Sequence, residues 1–237
     1  MSVSGQRILA VIPARGGSKG IPRKNLRRIA GRSLVAQAAS IVERISWIDR
    51  GVISTDDLQI HREGVRFGLS SIGARPPELS TDTANSFDVW RQAWIAAEEW
   101  HGESYEISIL LEPTCPLREI DDIERVVNSI ANEKYSSAVT ISESPVSFAP
   151  EKALKIMDGN HLHHYLESER SLTRRQDVPR YFHRNGACYG ARKSRLFGSD
   201  DFFGEGCAAV IVSHPLINID SMEDLRSARK LFRRLNT

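Results

Sequence analysis

"ILAVIPARGGSKG" occupies positions 8–20, and its reading decides the fold. Ile8 to Ala14 is a short continuous apolar run, which is how a strand buried on both faces of a parallel sheet is written. It gives way at once to glycines and cations, and continues through Pro22, Arg23 and Lys24 to Asn25. A buried strand that ends in a basic, glycine-rich loop puts that loop at the strand's carboxyl end. That is where open α/β sheets bind ligands.

Gly16 to Gly20 also spells G-x-S-x-G, the lettering of a hydrolase nucleophile elbow. An elbow needs a helix starting directly after its serine. Here Gly20 to Asn25 intervene, and helical spacing of apolar residues begins only near Ser33. A Walker loop is excluded as well, because no Gly-Lys-Ser/Thr follows the four-residue spacer. An anion site uses the residues better. Gly16, Gly17 and Gly20 allow a tight turn that brings backbone N–H groups close to a ligand. Arg15 can fork two hydrogen bonds onto phosphate oxygens, and Lys19 and Lys24 add point charges.

The charge distribution points the same way. Net charge is only +2, yet no Asp or Glu precedes Glu43, and seven Lys and Arg fall between Arg15 and Arg32. Glycine, proline and asparagine interleave that cluster, so it reads as a folded anion site rather than a basic tail.

Outward from the loop, helical spacing through Leu34, Ala38, Ile41, Val42 and Ile45 predicts a first helix. "GVIST" (51–55) is a second strand, and Asp56-Asp57 would cap a helix to about Phe67. Further expectations are a helix over Ser86–Glu99, a buried strand at "ISILLEP" (107–113), an amphipathic helix over 120–132 and a strand at "SAVTIS" (137–142). Such alternation predicts an α/β fold: a Rossmann-like, mostly parallel sheet with helices on both faces. Residues 143–184 break the rhythm. There a hairpin turning at Asp158-Gly159-Asn160 is expected, inside a small inserted lobe of a single domain spanning 1–237. "GACYGAR", "AAVIVS" and "LINID" read as later strands, and Ser221 with Asp224 has capping-box spacing for a last helix. Three loops would then meet at one crevice: Ala14–Asn25, Glu112–Arg118 and the flanks of Asp220.

Several classes are set aside. With 41% hydrophobic and 26% charged residues the composition is that of a globular protein, and no apolar run reaches the length of a membrane span. Cys115, Cys188 and Cys207 form no C-x-x-C pair, so neither a disulfide framework nor a zinc site is expected, and a cytoplasmic setting is. Cys115 reads as a small buried residue rather than a reactive thiol. His161, His163 and His164 read as an exposed hairpin rather than metal ligands. Nothing resembles the basic, aromatic-interleaved sheet face of a nucleic-acid binder.

Five segments carry a resemblance, in order: "PARGGSKGIPRKN" (13–25), "ARPPELSTDTANS" (74–86), "LLEPTCPLR" (110–118), "RRQDVPRYFHRNGACY" (174–189) and "INIDSMEDL" (217–225). Together they resemble the acylneuraminate cytidylyltransferases, the CMP-sialic acid synthetase family, over nearly the whole chain. The resemblance implies a nucleotidyltransferase-type fold and the reaction of CTP with a nonulosonic acid to give a CMP-sugar and pyrophosphate. It implies Mg2+ or Mn2+ as cofactor and a homodimer formed through the inserted lobe. Arg15, Lys19, Lys24 and Asp220 would be catalytic. Ala14, Arg15, Gly16, Gly17, Ser18, Lys24, Asn25, Arg75 and Ser86 would hold the nucleotide. Glu112, Thr114, Arg175, Gln176 and Asn185 would face the sugar acid. Alternatives in the same fold are a CMP-Kdo-type or other sugar nucleotidyltransferase, or a weakened homologue that binds CTP.

Two departures stand out. The family's Asp-x-Asp is here Asn218 and Asp220, two apart on an expected strand and so on one side of it. An amide oxygen is a weaker magnesium ligand than a carboxylate, so Asp220 is expected to be the principal one, with reduced metal affinity. An N-cap role for Asp220 is a further possibility. Glu112 stands where glutamine is common, and an ionised carboxylate only accepts hydrogen bonds. It would either select a different sugar or lie near the metal and restore the charge missing at Asn218.

Overall fold

Strand β1 (Ile8–Pro13) is buried along its length and lies inside the sheet, as its unbroken apolar run predicts. The computed structural model describes residues 5–132, 134–166, 178–199 and 201–235. After the basic loop comes a small hairpin, β2 (Arg28–Ile29) and β3 (Arg32–Ser33), which the sequence reading missed. It turns through Ala30 and Gly31, both at positive φ. Helix α1 (Leu34–Glu43) starts where the Ser33 hydroxyl accepts from the Ala36 N–H at 3.1 Å. Strand β4 (Arg50–Ser54) leads to α2 (Leu58–Arg66), capped by Asp57, and to the short strand β5 (Ser70–Ser71).

Helix α3 (Ser86–His101) is capped by Asn85 and closed by Gly102 in the left-handed region. Strand β6 (Ile107–Leu110) and α4 (Ile120–Ala131) follow, then β7 (Ser137–Glu143). Strands β8 (Leu154–Met157) and β9 (His161–His164) make the expected hairpin, turning at Asp158–Asn160. Strand β10 (Phe182–Arg192), helix α5 (Lys193–Gly198), strand β11 (Cys207–Ile211) and helix α6 (Met222–Leu235) complete the described order.

Seven strands form one sheet in the order β11-β7-β10-β6-β1-β4-β5. All neighbours are parallel except β10, which runs antiparallel to both β6 and β7. Helices cover both faces. On one, α1, α2 and α4 pack Val35, Ile60 and Val126 against Ile8, Ala10 and Ile12. On the other, α3 and α5 pack Trp90, Trp94 and Leu196 against Leu9 and Val11. The alternation of β1 side chains between these two cores is the period of a strand.

A third, smaller core decides where the site forms. Ile21 of the basic loop, Ile29 of the hairpin, Leu34 of α1, Ile219, and Leu225 and Ala228 of α6 are all buried together. This cluster ties the end of the chain to the loop after β1. One expectation fails here. Residues 216–220 alternate in burial like a strand yet join no ladder. The segment crosses the strand ends instead, with the Ile219 N–H donating to the Thr114 carbonyl at 2.9 Å. The last helix is capped by Ser221 and Asp224, which exchange hydrogen bonds of 2.7 and 3.2 Å, so Asp220 is left free of that role.

Candidate active site

Because β1, β4 and β6 are parallel, their carboxyl ends share one rim, and the loops that follow them meet there. Between them lies a cleft of about 370 Å³, lined among others by Arg15, Lys24, Asn25, Arg75, Ser86, Glu112, Thr114, Asn218 and Asp220. The three loops expected to converge do so. A recess of about 320 Å³ opens beside it, sharing Ser86, Glu112 and Asn218 and adding Asn85, Phe87, Arg184, Gly186 and Tyr189.

The basic loop is held in shape from behind. Asp56 accepts from the Gly16 N–H at 2.8 Å, and a side chain on Gly16 would strike the Cβ of Asp57 at 2.8 Å. Asn25, buried, donates to the Arg15 carbonyl at 3.0 Å and so closes the loop upon itself. Gly20 lies against the chain end, where a Cβ would fall 2.5 Å from the Asp220 carbonyl oxygen. No helix follows Ser18, so the elbow reading has no structural counterpart. Ala14 is buried in the core, while Gly16, Gly17, Ser18 and Lys19 ride the loop beside the cleft rather than lining it.

Each cation at positions 15 to 24 meets a carboxylate. Arg15 lies 2.6 Å and Lys19 2.7 Å from Asp82, Arg23 3.5 Å from Asp57, and Lys24 2.9 Å from Asp220. The Lys19 ammonium and the Arg15 guanidinium hold the Asp82 carboxyl below its ordinary range. Asp82, which lines the cleft and pairs with two of these cations, is a residue the sequence reading overlooked. It lies within 74–86, far in sequence from the cations it pairs with.

Arg75 is no surface residue. It is 7% exposed, its guanidinium bonds the Ser54 hydroxyl at 3.0 Å and carbonyl at 2.5 Å, and burial pushes its pKa down to about 10. The cation is thereby fixed in the cleft wall. Arg118, also buried, donates to the Glu112 main-chain carbonyl and so anchors the loop after β6. Burial pushes the Glu112 carboxyl up, with Arg118 opposing and Asp220 adding to the rise.

Strand β10 shifts register between Arg184 and Tyr189. Gly186 takes φ +73° there, which a side chain would resist. The irregularity turns Arg184 and Gly186 towards the recess. Asn185, expected to face a sugar, is buried in the sheet. Its amide oxygen accepts from the Thr140 hydroxyl at 2.7 Å and the Ala187 N–H at 3.1 Å, and its nitrogen donates to Ser142 at 3.0 Å. It braces the irregular turn and borders a separate cavity beyond Asn218. Arg175 and Gln176 lie outside the described residues.

For a cation, the oxygen donors at hand are Asp220, Asn218 and Glu112. Among the described residues no three or more His, Cys, Asp or Glu side chains gather as a preformed metal centre. Chemically the arrangement can hold a polyanion against the loop, with a second molecule in the adjoining recess. None of the described helices is long and apolar enough to cross a membrane.

Known proteins resemble this chain in sequence and in fold. Residues 9–204 match the family described as cytidylyltransferase. The chain is 29% identical over 228 residues to the CMP-N,N'-diacetyllegionaminic acid synthase of Legionella pneumophila, covering 95% of this chain and 96% of that one. It is 28% identical over 228 residues to the pseudaminic acid cytidylyltransferase of Campylobacter jejuni, with the same coverage. In three dimensions it is similar to CMP:2-keto-3-deoxy-manno-octonic acid synthetase solved with CTP, with a TM-score of 0.68 at 18% identity, covering 96% of this chain and 99% of that one.

Proposed function

Since the chain belongs to the cytidylyltransferase family, we propose that it activates a nonulosonic acid with CTP, giving the CMP-sugar and pyrophosphate. The observation that carries this reading is the joining of a basic nucleotide-sized cleft to a polar recess through the shared walls Ser86, Glu112 and Asn218. The relatives named for legionaminic and pseudaminic acid support the choice of sugar class.

In this reading Arg15, Lys19 and Lys24 hold the triphosphate, while Asn25, Arg75 and Ser86 line the nucleoside side. The sugar acid lies in the recess beside Arg184, whose guanidinium can meet a carboxylate, with Thr114 on the adjoining cleft wall. The sugar's anomeric hydroxyl attacks the α-phosphorus in line. An O–P bond forms, the bond to the bridging oxygen breaks, the hydroxyl proton is lost and pyrophosphate leaves. Such a displacement asks the protein mainly for positioning and for charge stabilisation.

A divalent cation would neutralise charge on the leaving pyrophosphate. The donors present fit one: all are oxygens, and the Lys24 ammonium already seats a positive charge 2.9 Å from the Asp220 carboxylate. Asp220 would be its principal ligand, with Asn218 beside it.

The reading includes a homodimer paired through the lobe between β7 and β10. Leu154, Ile156 and Leu162 lie on one face of the β8–β9 hairpin and are 52%, 70% and 64% exposed. An apolar face of this kind supports a second copy of the chain as its cover. Light scattering of Ile156→Asp would then report a monomer.

The test of function is pyrophosphate release from CTP and Mg2+ with a panel of N-acetylneuraminic, legionaminic, pseudaminic and Kdo acids. Turnover with one nonulosonic acid supports the reading and names the sugar. Turnover with Kdo alone replaces it, and silence with CTP binding intact leaves a nucleotide-binding homologue.

A further inference from the structure

We propose that Glu112 supplies the second carboxylate of the cation site, acting with Asp220 on the metal that accompanies the CTP triphosphate. This rests on the reading of the chain as a CTP-using enzyme and goes beyond it in assigning Glu112 to the metal rather than to the sugar.

Three observations converge. The first is position. Glu112 lies just past β6 and lines both the cleft and the recess, at the junction where the reacting phosphate would sit. A Cβ on Gly186 would meet Glu112 Oε2 at 2.6 Å and the Asn218 amide at 3.7 Å, so these two side chains flank one point. Glycine at 186 keeps that point open.

The second is the lack of a partner. Among the described residues neither the Glu112 carboxylate nor the Asn218 amide makes a side-chain hydrogen bond. The neighbouring guanidinium groups are engaged elsewhere: Arg118 on the Glu112 main-chain carbonyl, and Arg184 over the Phe203 ring at 4.8 Å. The Glu112 carboxylate is half-buried without a hydrogen-bond partner and faces the like charge of Asp220, with the charges of Arg118, Arg184 and Lys24 in partial compensation. A cation between the two carboxylates removes both penalties.

The third is the donor count. Asp220 with the neutral Asn218 offers a single negative charge. Adding Glu112 gives two carboxylates, an amide oxygen and the substrate phosphates, all hard oxygen donors. That set suits Mg2+, which is usually held by one or two carboxylates together with substrate phosphates rather than by a complete protein cage. It also explains why no ready-made metal centre of three side chains is needed.

The experiment is a Mn2+ titration followed by electron paramagnetic resonance, with and without CTP, on the full chain and on Glu112→Gln, Asn218→Asp and the double variant. In the presence of CTP, Glu112→Gln is expected to weaken Mn2+ binding by roughly 10-fold or more. Asn218→Asp in the Glu112→Gln background should restore it to within a few-fold of the parent. CTP binding with EDTA present shows that each variant is folded. Unchanged Mn2+ affinity in Glu112→Gln, with CTP bound, overturns the assignment and leaves Glu112 to the sugar. Equal effects of Asn218→Asp with and without Glu112 overturn it too. A parent chain that binds no CTP would instead sink the functional reading itself, so the two failures are distinct.

Discussion

The Asp82 carboxylate sits 2.6 Å from the Arg15 guanidinium, and its other oxygen lies 2.7 Å from the Lys19 ammonium. An internal anion thus occupies the cations proposed to receive the triphosphate. Nucleotide binding must take Arg15 and Lys19 away from it. Asp82→Asn is therefore expected to tighten CTP binding a few-fold at low salt, the gain shrinking as salt screens the pair. Isothermal titration at two ionic strengths measures this. Weaker binding would show that Asp82 organises the loop rather than competing for it.

Ile219 joins the site to the fold. It is fully buried in the small core with Ile21 and Leu225, while its neighbours Asn218 and Asp220 face the cleft. Ile219→Ala should cost about 2–5 kcal/mol of stability, as large-to-small changes at buried sites do. Because the same core holds Asp220 against Lys24, the KM for CTP should rise as well. Urea unfolding and steady-state kinetics read the two effects separately.

At the opposite end of the strands from the cleft, Glu103 accepts from Arg50 at 2.7 and 2.8 Å and from Tyr105, with Arg7 at 3.1 Å. The Arg50 hydrogen bonds in particular hold its carboxyl far below the ordinary range. A depressed carboxylate stabilises the fold fully above its unfolded value of about 4.3, and this contribution is lost as pH falls towards the folded value. Glu103→Gln should thus cost about 1–3 kcal/mol at neutral pH, the worth of charge-assisted hydrogen bonds. The gap from the parent in thermal melts should narrow as pH drops below about 4.

Gly186→Ala tests the irregular turn in β10. The position has φ +73°, where a side chain costs roughly 1–2 kcal/mol, and a Cβ would press on Glu112 at 2.6 Å. Melting temperature should fall modestly while pyrophosphate release falls steeply, since the new methyl enters the junction of cleft and recess.

Much of this was legible in the sequence where one kind of residue dominates a stretch. The run at Ile8–Pro13, the capping residue Asp57 and the strongly amphipathic helix at 120–131 each announce themselves locally. The basic loop was legible for the same reason. What escaped depends on distant pairing. Ile217 and Ile219 alternate with polar residues as a strand would, but period alone does not say whether a neighbouring strand is there to receive the hydrogen bonds, and here none is. Asp82 was hidden because its meaning lies in Arg15, 67 positions earlier. Asn185 carries a side chain suited to a ligand, and only its contacts with Thr140 and Ser142 show that the sheet uses it first.

The reversed direction of β10 has an architectural consequence. Parallel strands reach the binding rim by ending, whereas β10 reaches it by beginning. The chain leaves the sheet at Glu143 and returns at Phe182, and these two residues are paired with each other. The excursion between them therefore starts and ends at one rung of the ladder, on the binding rim. Its length and content can change without disturbing the register of any strand, because both ends are fixed by the same pair. The half of the rim built on β1 and its basic loop stands apart from that excursion, since no described residue between Glu143 and Phe182 lines the cleft.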